Sequence, residues 1–296
     1  MYKHLDPASL GVSGRQSELI EATLSYGFRG LDVDAAEVIK RALSQGVDEA
    51  ARYIRSGQVK VGGWTVAVPI MESAEVFDPA LERLHGLAEA AKDIGFTYAA
   101  YELPAASRKL PYHENFEVHR ERLQQVGDVL GPRGIRLGLA LKATEAHRQD
   151  ATYQFIYRAE ELLTLLTNID SPHVGLALDT WNWAVGGGGR DQLDELAGSQ
   201  VVSLSIADLP EDADPKTITD DQRFLPSEAT TEHHGSLLRS LAQRNYRGPV
   251  MLRPHPRQLA KLTRDASVEA CSRMLDQIWA AAGLSKSGKL LTVATD

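Results

Sequence analysis

A buried apolar run that ends in an acid, an amide and two indoles is the part of this sequence with the most chemical content. Residues 176–178 are apolar, and Asp179, Trp181, Asn182 and Trp183 follow them. A carboxylate and an amide at the end of a strand provide hydrogen-bonding groups, and indole rings provide flat apolar faces. The same Asp-x-x-Asn pattern is typical of a helix or turn cap. The strands and helices around this pattern therefore decide whether it is a functional site or a cap.

Composition narrows the class of protein. The 296 residues are 43% apolar and 24% charged, which suits either one large α/β barrel or two ordinary domains. We find no apolar run near the roughly 20 residues of a membrane span and no signal segment before the first strand, so we expect a soluble, cytoplasmic protein without a membrane partner. The net charge of −8, with no basic run, predicts no nucleic-acid partner. The lone cysteine, Cys271, excludes an intramolecular disulfide and a thiolate metal site.

One pattern recurs along the chain: an amphipathic helix, a stop, and then a short apolar strand. Helix 17–26, Gly27 and strand 30–34 form one such unit, and similar units follow. Eight apolar strands alternating with helices predict a parallel sheet closed into a (β/α)8 TIM barrel of the α/β class. A doubly wound open sheet is the alternative, but no Gly-x-Gly-x-x-Gly turn follows the first strand. The predicted strands are 10–12, 30–34, 59–61, 97–103, 135–141, 174–178, 200–206 and 249–252.

The domain organisation is simple. We predict one domain over residues 1–284 and an irregular tail over 285–296, which packs loosely or pairs with another chain. The longest stretch without periodicity, 210–227, lies just after the seventh strand. Such a loop either covers the active site or is a solvated excursion.

Five blocks in order carry a resemblance to a known family. They are residues 26–32, 110–116, 134–139, 175–183 and 246–250. With these blocks the chain resembles the sugar phosphate isomerase/epimerase group of xylose-isomerase-like TIM barrels, which contains D-tagatose 3-epimerase and inosose-processing enzymes. The resemblance implies an active site at the carboxyl ends of the barrel strands.

The resemblance also implies a divalent metal held by a Glu, an Asp, a His and a Glu at the ends of strands five to eight. The corresponding residues here are Ala140, Asp179, Ser205 and Arg253. Only Asp179 is a metal ligand, and Arg253 would repel a cation. Since both glutamates of the proton shuttle are also absent, we predict a degenerate metal site, no metal cofactor and no metal-dependent epimerisation.

Three further positions follow from the same resemblance. The substrate-contacting histidine of the family corresponds to Asn182, and its aspartate after strand seven corresponds to Asp208. An arginine that holds substrate corresponds to Arg223. We therefore expect Asn182, Asp208 and Arg223, together with Ser205, to contact substrate.

Strand periodicity suggests what replaces the metal. Residues two apart share a face of a strand, which places Lys142 and His255 beside Asp179 and Arg253. We expect the side chains of Asp179 and Arg253 to lie within salt-bridge distance at the barrel mouth, either directly or through a bound anion or water. This pair either plugs the barrel or belongs to a cationic pocket for an anionic or polyhydroxylated ligand, with Trp181 and Trp183 against the sugar ring.

Other acids and histidines have two interpretations each. Glu102, at the outlet of strand four, is either a general base near Lys142 or a surface ion pair. Asp32 and Asp34 either face the pocket or cap the helix that begins at Ala35. The pair at 233 and 234, both histidines, is predicted to be a loop and cap rather than a metal site.

Two functional classes remain open. The first is a metal-independent isomerase, epimerase or lyase on a sugar, sugar-phosphate or inositol-like substrate, with Lys142 or Glu102 as base and Arg253 stabilising an enediolate. The second is a catalytically inactive homologue that binds such a ligand or serves as a partner subunit. We also expect a homodimer, with the tail covering apolar surface.

Overall fold

The architecture is a closed parallel barrel surrounded by helices, as predicted from the sequence. The computed structural model describes residues 1–149 and 151–291. Nine strands form one curled sheet, in the order β3-β2-β1-β11-β10-β9-β7-β5-β4. Its strands are β1 (Tyr2–Leu5), β2 (Gly30–Leu31), β3 (Lys60–Val61), β4 (Trp64–Thr65), β5 (Tyr98–Glu102), β7 (Arg136–Ala140), β9 (Val174–Asp179), β10 (Val201–Ile206) and β11 (Pro249–Leu252).

The barrel closes through one short segment of chain. β3 pairs with β2 and β4 pairs with β5, and only Gly62 and Gly63 separate β3 from β4. The sheet therefore has eight barrel strands, the third of which is broken at these glycines. A Cβ built on Gly62 would lie 1.7 Å from Oδ1 of Asp32, so only glycine leaves room for that carboxylate.

Ten helices surround the described part of the barrel, and their apolar faces pack against the outside of the strands. A small antiparallel pair, β6 (Ala106–Ser107) and β8 (Tyr153–Gln154), lies outside the main sheet. The helices are α1 (Gln16–Ser25), α2 (Ala35–Gln45), α3 (Val47–Gly57), α4 (Ala74–Ile94), α5 (Tyr112–Leu130), α6 (Ala159–Asn168), α7 (Thr180–Val185), α8 (Arg190–Glu195), α9 (Thr231–Gln243) and α10 (Arg264–Ala281). None of the described helices is long and apolar enough to cross a membrane.

The predicted first strand, 10–12, is wrong. Residues Ala8–Leu10 form a short 3-10 helix that ends at Gly11, whose φ is +66°. The actual first strand is β1, which pairs with β11 on one side and β2 on the other. Lys3 and His4 interrupt its apolar pattern, so sequence periodicity gives it no signal. Because the first strand lies earlier in the chain than predicted, different residues face the site.

The end of the chain turns back towards its beginning. Leu284 and Leu290 form an isolated antiparallel bridge, and the amino group of Met1 donates to the Gly288 carbonyl at 3.2 Å. The predicted tail, 285–296, is described only to residue 291, and residues 292–296 lie outside the described residues.

Candidate functional site

A single cavity of about 1350 Å³ opens at the carboxyl ends of the barrel strands. Inward-facing residues alternate along the strands, as parallel barrels require, and many of them are small: Gly63, Ala100, Ala140, Ala177 and Ser203. Small side chains leave the upper barrel hollow, so polar groups around its rim face a common space. The sequence-predicted residues that line it are Glu102, Lys142, Asp179, Asn182, Ser205, Arg223, Arg253 and His255.

The predicted salt bridge between Asp179 and Arg253 is wrong as a direct contact. Asp179 pairs with Arg223, and the two side chains are only 14% and 13% exposed. The loop after β10 folds back over the mouth and inserts Arg223 beside Asp179. Nε of Arg223 also donates to the Arg253 carbonyl at 3.2 Å, which fixes the loop to the end of β11.

Arg253 is held by two carboxylates that follow the neighbouring strands β1 and β2. Its Nε donates to Asp6 at 2.7 Å, and its Nη2 lies 3.4 Å from Asp32. Nε2 of His4 lies 2.9 Å from the other oxygen of Asp32. The Arg253 side chain remains 40% exposed because it lines the open cavity.

These partners of Arg253 were only partly foreseen. Asp32 faces the cavity, whereas Asp34 caps α2 by accepting from the Glu37 amide at 3.0 Å. Asp6 and His4 were missed because the first strand was placed too late. Their separation of two residues was the available signal, since residues i and i+2 of a strand share a face.

The charge balance of the mouth does not favour a cationic pocket, which was one of the two interpretations that the sequence left open. Lys142, Arg223 and Arg253 each have a carboxylate partner, and Arg253 faces two. Burial disfavours ionisation of Asp32, but His4 and Arg253 outweigh it and lower the pKa of Asp32. Desolvation opposes the charge on Arg253, but Asp6 and Asp32 raise its pKa. The cavity is thus lined by paired charges, without an excess of positive charge on the inner wall.

Glu102 and Lys142 form a second pair on neighbouring strands. Oε2 of Glu102 lies 2.6 Å from Nζ of Lys142, with side chains 52% and 34% exposed. Glu102 ends β5, and Lys142 lies two residues beyond the end of β7. Both face the cavity, so a carboxylate and an ammonium group are available together to a bound molecule.

The two indoles do not provide the ligand surface that was predicted. Trp181 is fully buried and Trp183 is 4% exposed, and neither lines the cavity. Nε1 of Trp181 donates to the Gln222 carbonyl at 3.2 Å, and the guanidinium of Arg223 lies 4.9 Å from its ring centroid. Both indoles belong to the first turns of α7, whose inner face packs into the core. Trp181 therefore supports Arg223 rather than a sugar.

Asn182, Ser205 and His255 occupy the remaining polar positions of the wall. Oδ1 of Asn182 accepts from the backbone amide of Ala143 at 3.1 Å. The backbone amide of Asn182 donates to the Asp179 carboxylate at 2.8 Å. Ser205 pairs in register with Asp179 and is 3% exposed. The His255 amide donates to the Arg223 carbonyl at 2.8 Å, so His255 helps to hold the loop that carries Arg223.

Asp208, predicted to contact substrate, instead anchors this loop. It forms an isolated bridge with Phe224, and its side chain accepts from Nε2 of His234 and from the Thr230 hydroxyl, both at 2.6 Å. Asp208 does not line the cavity, and His234 lies inside α9 rather than in a loop. The stretch 210–227 is thereby fixed across the mouth.

We expect replacement of Asp208 by asparagine to destabilise the protein at neutral pH, and to do so by less as the pH falls below about 4. Burial raises the pKa of Asp208, but the bonds from His234 and Thr230 outweigh it and lower that pKa. A carboxyl with a lowered folded-state pKa stabilises the fold above its unfolded pKa, about 4, and loses this contribution as the pH falls through the folded value. Asp208→Asn should cost roughly 1.5 to 3 kcal/mol at pH 7.

The measurement is urea unfolding of both proteins from pH 3 to pH 7. Asp212→Asn, at an exposed acid of the same loop, is the matched control and should leave the curve unchanged. An equal cost for Asp208→Asn at pH 3 and pH 7 would contradict the anchoring role.

The four positions at which the family resemblance implies metal ligands do converge on the cavity, but their side chains do not suit a cation. Ala140 offers a methyl group, Ser205 a hydroxyl, and Arg253 a guanidinium. The remaining ligand, Asp179, is already paired with Arg223. Within residues 1–149 and 151–291, no three His, Cys, Asp or Glu side chains are grouped to hold a metal ion. The residues present do not fit the implied metal.

Comparison of the sequence with known protein families agrees with this architecture. A model of the xylose isomerase-like TIM barrel family matches residues 20–277. The chain belongs to this family. No protein of curated function matches the sequence at a significant level.

Solved structures with the same fold have low sequence identity to the chain. A xylose isomerase domain protein from Alicyclobacillus acidocaldarius is 22% identical, with a TM-score of 0.82 over 95% of this chain and 99% of that one. The IOLI protein with a bound zinc atom is 16% identical, with a TM-score of 0.76 over 96% and 98%. D-psicose 3-epimerase from Clostridium cellulolyticum H10, solved with D-tagatose, is 14% identical, with a TM-score of 0.69 over 95% and 99%. At these identities the likeness shows the fold.

Proposed function

We propose that this barrel binds a neutral polyhydroxylated carbonyl compound, a sugar or the ketone of an inositol, at its mouth and isomerises or epimerises it without a divalent metal. The observation that carries the proposal is the set of carboxylate–cation pairs around one cavity: Asp179 with Arg223, Glu102 with Lys142, and Asp6 and Asp32 with Arg253. A hydroxyl group both donates to a carboxylate and accepts from a guanidinium or ammonium group. Such a wall suits a molecule with many hydroxyls.

The carboxylate–cation pairs also favour neutral ligands over phosphorylated ones. A phosphate group would have to displace Asp or Glu side chains from the cations, because Arg253, Arg223 and Lys142 are already neutralised. We therefore favour unphosphorylated sugars and inositols over sugar phosphates. The family relative solved with D-tagatose supports a sugar-sized polyol as the ligand class.

The chemistry we propose needs only groups of this chain. Glu102 removes a proton from the carbon next to a carbonyl group, and Lys142 donates a hydrogen bond to the oxygen of the resulting enediolate. Arg253 provides the fixed positive charge on the far side of the mouth, held in place by Asp6 and Asp32. Return of the proton to the neighbouring carbon isomerises the substrate, and its return to the opposite face epimerises it.

A catalytically silent, ligand-binding barrel is the second candidate. The observation that favours it is the same neutralisation: each of the three cations on the inner wall is matched by a carboxylate of the chain itself. Pairs of this kind also form in a barrel whose mouth has only a structural role. Turnover of a bound ligand separates the two candidates.

We expect unphosphorylated sugars or inositols to raise the melting temperature, and EDTA, Mn²⁺, Mg²⁺ and Zn²⁺ to leave it unchanged. A ligand at about 100 times its Kd stabilises a protein by about 2.7 kcal/mol, which corresponds to roughly 5 °C. The measurement is a thermal-shift screen in which each sugar is compared with its phosphate ester, together with metal analysis of protein purified without chelator. One tightly bound metal ion per chain, or a lower melting temperature in EDTA, would contradict the metal-independent site.

A further inference from the structure

The cavity does not end at the polar mouth. It continues outwards between α2 and α4, where its walls are apolar. Ile39 and Leu43 face it from α2, and Leu84 and Leu87 face it from α4. Spacings of four and three residues place each pair on one side of its helix. The space is therefore a groove between two helices, which we call the α2–α4 groove.

The α2–α4 groove leaves large apolar side chains open to solvent. Leu43 is 59% exposed and Leu87 is 38% exposed. Ile39 and Leu84, deeper in the groove, are 6% and 2% exposed. Lys40 and Arg83 lie at the rim. An apolar cleft with a polar rim is typical of a site that takes an apolar group.

The size of the cavity fits more than one sugar ring. At about 1350 Å³ it exceeds the roughly 300 to 1,000 Å³ of ordinary small-molecule sites. The charged pairs occupy only the barrel end, whereas Val33, Trp64 and Val68 line the passage towards the groove. One continuous space thus has a polar end and an apolar end.

We propose that the ligand is amphipathic: a polyhydroxylated head lies in the barrel mouth, and an alkyl or aryl substituent lies in the α2–α4 groove. The chemical class is an ether or ester of a reducing sugar, with the apolar group on an oxygen other than the anomeric one, so that the carbonyl group needed by the proposed reaction is kept. This inference rests on the proposed function, because it assigns the polar end to the head group. Because the groove is continuous with the mouth, we assign the groove to the apolar part of the same ligand.

The test compares heads with and without an apolar group. The probes are 6-O-methyl- and 6-O-hexyl-D-glucose, and 6-O-methyl- and 6-O-hexyl-D-fructose. Binding to the full chain is measured by calorimetry below the micellar concentration of each probe. We expect the hexyl compound of the recognised head to bind roughly 10- to 100-fold more tightly than its short counterpart, because burial of each CH₂ favours binding.

A variant of the α2–α4 groove tests whether the tighter binding of the hexyl compound comes from this groove. Leu43→Gln with Leu87→Gln keeps helix propensity and adds no charge, and should remove most of the hexyl gain without weakening binding of the short counterpart. Leu24→Gln is the matched control, because Leu24 is 50% exposed on α1 and does not line the cavity. It should retain the full gain.

The outcomes distinguish the two proposals. If a head group binds but the hexyl chain adds nothing, the amphipathic ligand is wrong and the proposed function stands. If no head group binds in either form, both proposals are overturned. If light scattering shows a dimer that the groove variant dissociates and the control variant does not, the groove belongs to a second copy of the chain, and the amphipathic ligand is again wrong.

Discussion

Replacing Arg253 by methionine is expected to cost about 2 to 3 kcal/mol of folding free energy and to weaken ligand binding by about 100-fold. The substitution leaves Asp6 and Asp32 facing each other without their shared cation. Removing one partner of a buried ion pair typically costs roughly 3 to 5 kcal/mol. We expect less here because the Arg253 side chain is 40% exposed to the cavity, where water screens the stranded charges.

A double-mutant cycle checks which carboxylate pairs with which cation. Arg253→Met combined with Asp32→Asn should show a coupling free energy of about 1 kcal/mol or more, since removing both charges relieves the stranded one. Arg223→Met with Asp179→Asn should couple in the same way. The matched control is Arg253→Met with Asp179→Asn, whose coupling should be clearly smaller. A larger coupling in the control than in the Asp32 cycle would restore the pairing that the sequence alone suggested and contradict the structure.

Replacing Glu102 by glutamine is expected to slow turnover by about 10²- to 10⁴-fold, the usual contribution of a general base. The measurement is exchange of the carbon-bound hydrogen of a bound sugar with D₂O, followed by NMR. Folding stability should hardly change, because the Glu102 side chain is 52% exposed and exposed ion pairs contribute only about 0 to 1 kcal/mol. Loss of exchange without loss of stability or affinity is the signature of a catalytic rather than a structural carboxylate.

Two comparisons complete this experiment. Glu114→Gln, at an acid in the first turn of α5 that does not line the cavity, should leave exchange unchanged. If the wild-type protein shows no exchange with any sugar that it binds, the enzymatic proposal is wrong and the silent, ligand-binding barrel is supported. If Glu102→Gln retains full exchange, Glu102 is not the base.

Much of the barrel could be predicted from the sequence because its strands carry local signals. The segments that form β7, β9, β10 and β11 are mostly apolar and are flanked by glycine, proline or polar residues, and such segments predict buried parallel strands. β1 carries no such signal, since Lys3 and His4 interrupt it. It is a strand because β2 and β11 pair with it on both sides.

The composition of the mouth was predicted better than its contacts. The family resemblance placed Asp179 and Arg253 at the mouth, strand periodicity added Lys142, and the end of strand four added Glu102. All four side chains line one cavity. Contacts between side chains depend on the path of a loop and on distances across the barrel. Arg223 reaches Asp179 from the stretch 210–227, which is anchored by Asp208 and by contacts with Arg253 and His255.

The sequence by itself determined the fold class, the family resemblance and the residue types at the four positions where that resemblance implies metal ligands, because these depend on residue types and their spacing along the chain. Only the tertiary structure decided that Arg253 meets Asp6 and Asp32 rather than Asp179, that Trp181 and Trp183 are buried, and that the mouth continues into an apolar groove. Each of these depends on which elements the closed barrel brings together, and charge and apolar burial select partners by proximity in space.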